Sequence, residues 1–205
     1  MIVNGKRVNK KALRHEIPSK STPKSTSARP IARTRLRVAA KVGSPTRGWL
    51  FAGGQAFPVA LGRAGIRHDK REGDGATPAG TWYPRELRYR ADHGPRPRTL
   101  LPVRRTRPDD GWCDAPTDGR YNRAVRLPFR PSHEEMWRAD GLYDLVIVID
   151  HNARPRRARR GSAVFLHLAR PDFEPTAGCI AFRRADLRRL LAVLSPRTAL
   201  VVGVR

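Results

Sequence analysis

Apolar residues in this chain come in short runs broken by glycine, proline and charge, a spacing that predicts strands joined by turns. Leu36 to Ala40 predicts the first strand. Trp49 to Ala52 and Gln55 to Leu61 flank Gly53-Gly54, a two-residue signal for a hairpin, because both turn positions need φ > 0. Leu145 to Ile149 is an unbroken apolar run of the doubly buried type, and Ala163 to Leu168 is a further strand expected to pair with it as a hairpin. Ala199 to Val204 predicts a closing strand. Helical periodicity is rarer. Leu187, Leu190, Leu191 and Leu194 recur on one face with Arg184, Arg188 and Arg189 between them, and Ser195-Pro196 ends the run. Ser132-His133-Glu134-Glu135 matches a capping box and predicts a short helix through Trp137. From Tyr83 to Arg130 the pattern is irregular, and Asp109-Asp110 within it reads as a turn.

Length and composition set the organisation. At 205 residues there is enough chain for one domain with a proper core. Residues 1–32 carry Lys6, Arg7, Lys10, Lys11, Arg14, Lys20, Lys24 and Arg29 against Glu16, with Ser, Thr and Pro between, and are expected to be a flexible basic tail. Residues 33–205 are then the folded domain. The formal net charge is +24, and only seven of the 42 basic residues are lysine. Such a field favours anionic partners: nucleic acid, anionic lipid or a carboxylate-bearing polymer. Nucleic-acid binding stays open as an alternative. Against it, the richest basic run, Arg154 to Arg160, holds no aromatic residue for base stacking, and no helix carries a recognition motif. No apolar run approaches the ~20 residues of a membrane span. The glycine-rich stretch Lys70 to Trp82 lacks the spacing of a phosphate loop. Cys113 and Cys179 make no disulfide framework, and Cys113, within Gly-Trp-Cys-Asp, is expected to be structural.

Candidate chemistry concentrates in Ser162 to Phe182. His167 ends an apolar run, and Cys179 sits on a short glycine turn after a loop containing Pro171 and Pro175. A thiol needs a neighbouring base or positive field to become a nucleophile, and His167 is the local base. Gly178 permits close backbone approach, so amides near Cys179 suit an oxyanion, and Thr176 is placed to orient the imidazole or hold the turn. The residues alone leave a plain alternative open, in which Cys179 is a small buried hydrophobe and His167 a core histidine. A metal site from His151, His167 and Cys179 lacks a compact ligand motif.

The segment resembles the active-site motif of the YkuD-type L,D-transpeptidases, in which a histidine on a strand precedes a Ser/Thr-His-Gly-Cys turn. Thr176, Gly178, Cys179 and Ile180 match the turn and His167 the upstream histidine. The resemblance runs from about Arg35 to Arg205 and is closest to a proteobacterial subgroup with a Thr-x-Gly-Cys turn. Two departures stand out: Ala177 occupies the place of the second histidine, and only eight residues separate His167 from Thr176. The resemblance implies a mainly β fold, a mixed-sheet β-sandwich or partly closed barrel with one packed C-terminal helix and the short helix. Thr77-Pro78-Ala79-Gly80 resembles the family's turn into a strand, with Asp74 as a wall of the cleft. It further implies a Cys179 thioester with a donor stem peptide, passed to an acceptor amine in a 3-3 or 1-3 link, or to water in an L,D-carboxypeptidase. A pseudoenzyme that only binds cell wall is the remaining alternative within the fold. Tyr121, Asn122 and Ala177 are the substrate-binding expectations. No cofactor or metal is implied, the partner is peptidoglycan of the diaminopimelate type, and the place is the periplasm or cell envelope. No secretory apolar segment is legible between Met1 and Val42, so export would need another signal or a different precursor start.

Overall fold

In a computed structural model, residues 34–203 are described. The expected basic tail, residues 1–32, lies outside them. Among the described residues fifteen strands and one helix follow in chain order. The first five strands are β1 (Arg35–Lys41), β2 (Ser44–Ala52), β3 (Gln55–Ala60), β4 (Ile66–Arg67) and β5 (Thr77–Pro78). Then come β6 (Gly80–Trp82), β7 (Pro84–Tyr89), β8 (Val103–Arg105), β9 (Asp110–Cys113), β10 (Arg123–Arg126) and β11 (His133–Glu135). The last part of the chain holds β12 (Leu145–Ile149), β13 (Phe165–Leu168), β14 (Ile180–Phe182), α1 (Arg184–Leu191) and β15 (Ala199–Val202).

Ten strands form one mixed sheet in the order β6-β15-β1-β2-β3-β14-β13-β12-β7-β8. β6 and β8 end it without pairing to each other, so the sheet does not close into a barrel. The fold is mainly β, as expected, with a second sheet of three strands, β10-β9-β11, and a two-stranded β4-β5 pair. The glycine hairpin forms as predicted: Ala52 pairs with Gln55 around Gly53 and Gly54, both at positive φ. β12 and β13 pair antiparallel, Ile147 opposite Leu166, as expected.

The expected short helix after Ser132 does not form. His133–Glu135 is instead a strand that pairs antiparallel with β9, His133 opposite Cys113. A helix of about six residues cannot repay its nucleation cost, whereas β9 offers a ready ladder and Glu134 a half-buried hydrogen bond from Tyr143. One helix remains, α1, and it buries Leu187, Leu190 and Leu191 against the sheet.

Side-chain alternation in the central strands sets up two apolar layers. Leu145, Ile147 and Ile149 of β12 and Leu166 and Leu168 of β13 join the large core with α1. Val146, Val148 and Phe165 face the other way, into a second cluster with Trp112, Met136, Tyr143 and Cys179. The period of two therefore sends His167 to the same face as Phe165, away from the main core. β14 runs parallel to β13 with His167 opposite Ala181, and the same alternation puts Cys179 on that face too. Among the described residues no helix is long and apolar enough to cross a membrane.

Candidate active site

On this second face lies a cavity of about 460 Å³ whose walls include Cys179, His167, Gly178, Thr176 and Ala177. The catalytic expectations from the sequence thus converge on one space. Register explains the arrangement. His167 pairs with Ala181, so Cys179 lies alongside Phe165, one same-face step (about 6–7 Å) from the histidine. Among the described residues no hydrogen bond joins the thiol to the imidazole directly.

The thiol is held from the β13 side. Its S–H donates to Ala163 O (3.2 Å), and the Phe165 N–H donates to Sγ (3.3 Å). Burial, with the negative field of Glu134 second, pushes the Cys179 thiol up to about 12; the Phe165 N–H and Lys70 oppose the shift. His167 is buried as well, and desolvation lowers it to about 4, so its imidazole is neutral at pH 7. Its Nδ1 lies 2.9 Å from Leu168 O. A carbonyl only accepts, so Nδ1 carries the hydrogen and Nε2 keeps its lone pair as the ring's available base. The Tyr143 ring packs edge-on to His167 at 5.2 Å between centroids and fixes its plane.

Thr176 ties the turn together. Its Oγ1 donates to Cys179 O (2.7 Å) and accepts the Gly178 N–H (3.1 Å). Gly178 has φ +140°, and a Cβ there would meet Ala76 O at 2.8 Å and Lys70 Nζ at 3.5 Å. Only glycine lets this turn press against the 70–76 loop.

That loop brings a group the sequence reading passed over. Lys70 is 6 % exposed and lines the cavity; its Nζ donates to Asp74 Oδ1 (2.5 Å) and Arg71 O (2.9 Å). Asp74, expected as a cleft wall, stands behind Lys70 and is held below the usual carboxylate range by that pairing and by the Ala76 and Arg71 N–H groups, against its own desolvation. The three-stranded sheet adds Glu134 to the wall, where it accepts the Tyr143 hydroxyl (2.5 Å). Burial raises Glu134 above its ordinary value, and Tyr143 is raised well above its own. Glu134 was legible only as part of a supposed helix cap, and Lys70 only as a residue in a turn-rich stretch. Their arrival at the cavity is a tertiary fact with no local signal.

Tyr121 and Asn122 do not line the cavity. Tyr121 donates its hydroxyl to Glu72, a cavity residue that also accepts Ser162 Oγ at 2.8 Å. Asn122 is bound entirely to protein groups, among them Trp112 Nε1 at 3.0 Å. Both sit one layer behind the wall. His151 lines a different pocket with Trp82 and Asp150, and among the described residues no group of three or more His, Cys, Asp or Glu could hold a metal ion. Cys113 is fully buried with Ala115 and Val125, and both cysteines are free.

Comparison with known families gives one match: the model of the YkuD L,D-transpeptidase catalytic domain covers residues 37–202. No curated protein and no solved structure matches the chain.

Proposed function

The chain belongs to the YkuD L,D-transpeptidase catalytic-domain family, whose members act on peptidoglycan peptides, and from that premise we propose that it transfers a stem-peptide acyl group through Cys179. The observation that carries the reading is the shared cavity: a thiol on its turn and an imidazole with a free Nε2 face the same space from adjacent parallel strands.

Both groups rest neutral, so the thiol proton leaves as the sulfur attacks. With Sγ left in place, rotation of the S–H hydrogen about the Cβ–Sγ bond turns it from Ala163 O towards His167 Nε2, which takes the proton while Sγ bonds to the donor carbonyl carbon. The oxyanion that forms is met by amide hydrogen from the turn. Since Thr176 already engages the Gly178 N–H, that role falls to the Cys179 N–H. Lys70 adds to it, because an ammonium has three hydrogens and two are committed to Asp74 and Arg71. Collapse breaks the C–N bond, and the leaving amine takes its proton from the His167 imidazolium. An acceptor amine then attacks the thioester, gives its proton to Nε2, and the departing thiolate recovers it. With water as acceptor the same steps release a free carboxylate, which is L,D-carboxypeptidase activity. Both 3-3 and 1-3 links are compatible with this scheme, and the cell envelope is the corresponding place of action.

Intact-mass analysis after incubation with a diaminopimelate-type stem peptide tests the covalent step. Wild type is expected to gain the mass of the donor acyl group, and Cys179→Ala to gain none while keeping the circular dichroism of the folded protein. An adduct that survives in Cys179→Ala contradicts the assignment.

A further inference from the structure

Ala163, whose carbonyl accepts the thiol hydrogen, has φ +49°, in the left-handed region that an alanine occupies only under strain. Something must hold it there. Its N–H donates to Asn122 Oδ1 at 3.1 Å, and that oxygen also accepts Trp112 Nε1 at 3.0 Å. The other end of the amide donates to His151 O and Asn152 O, both at 3.0 Å. The backbone N–H of Asn122 donates to Cys113 O at 2.8 Å, and the residue is itself left-handed at φ +54°. Two donors and two acceptor sites are the full capacity of a side-chain amide, so Asn122 has nothing left for a ligand. It links three separate segments, the end of β9, the turn after β12 and the approach to β13, at the point where the last of them reaches the nucleophile.

We propose that Asn122 is a positioning residue for the nucleophile: its amide locks Ala163 in the left-handed conformation and thereby aims the Ala163 carbonyl and the Phe165 N–H at Cys179 Sγ. With S–H directed to one and the sulfur accepting from the other, a single side-chain rotamer is selected and the remaining lone pair faces the cavity. The role presupposes that Cys179 is the acylated residue, and it replaces direct substrate contact by Asn122. When the amide is removed, Ala163 relaxes to ordinary negative φ, its carbonyl turns away, and the thiol samples its other rotamers.

The S–H stretching band of Cys179, read by Raman difference spectroscopy between each protein and its Cys179→Ala partner, reports this contact directly. Asn122→Ala is expected to move the band to higher wavenumber, as for a thiol that has lost its acceptor. It is also expected to lower kcat for acylation by about tenfold or more with KM within about threefold, because orientation and not binding is lost. Adding Ala163→Gly to Asn122→Ala should recover part of kcat, since glycine takes positive φ without strain. A merely structural Asn122 would lower the unfolding temperature and leave the band in place. An unmoved band, or a moved band with unchanged kcat, overturns the proposal. If Asn122→Ala does not fold, Asn122→Asp keeps the acceptor oxygen towards Ala163, and a fall in kcat beyond about tenfold then overturns it. If wild type forms no acyl-enzyme at all, the functional reading fails while the band still decides the contact.

Discussion

A neutral thiol at rest is the most consequential feature at the scale of single residues. Cys179 lies near 12 against an ordinary 9.0, so its thiolate fraction at pH 7 is about a thousandfold below that of an ordinary exposed thiol. Iodoacetamide should therefore label Cys179 about a thousandfold more slowly than a free peptide thiol at pH 7, and about tenfold faster for each unit up to pH 10. Peptide mapping separates this site from Cys113. Labelling that levels off near pH 8 would mean an activated thiolate and a different proton pathway. Cys179, His167, Gly178 and Thr176 were legible as candidates because their strand end and turn resemble the family motif; the residues alone left a buried cysteine and a core histidine open. Asn122 was legible as a residue of interest, but its partners lie between 9 and 41 positions away, so its task was not.

Among elements, periodicity carried most of the information. The two glycines between β2 and β3, the apolar β12 and the leucine face of α1 each formed as read, because local pattern and tertiary burial agree there. β11 shows the opposite case. Ser132 to Glu135 has the side chains of a helix start, yet β9 was within reach and the strand pairing prevailed. The strand in place of the helix carries Glu134 to the cavity wall. Sheet order was not legible. β14 lies between β3 and β13, an insertion that pattern along a chain does not encode, and this parallel neighbour is what brings Cys179 to the face of His167.

For the whole molecule, the contrast lies between a chain of formal net charge +24 and a cavity wall that includes Glu72, Asp114, Glu134 and Glu174. The basic excess suits an anionic polymer, while the interior mixes both signs. Two buried histidines, His151 and His167, are each lowered to about 4 by desolvation from an ordinary 6.5. The unfolded chain binds those protons first, so stability is full above about pH 6.5 and is lost as pH falls to about 4. Each contributes about 3 kcal/mol, together a large share of a typical domain's stability. Urea midpoints at pH 7.5 and 4.5 should differ accordingly, and equal midpoints would show that these histidines are not buried neutral. The central claim, acyl transfer through Cys179, is tested most directly by mass spectrometry of products from purified diaminopimelate-type muropeptides, wild type beside Cys179→Ala. The account predicts new dimers with wild type only, their fragmentation assigning 3-3 or 1-3 links, or trimmed monomers where water is the acceptor. Products that persist without Cys179, or none from a folded wild type with a free thiol, would contradict it.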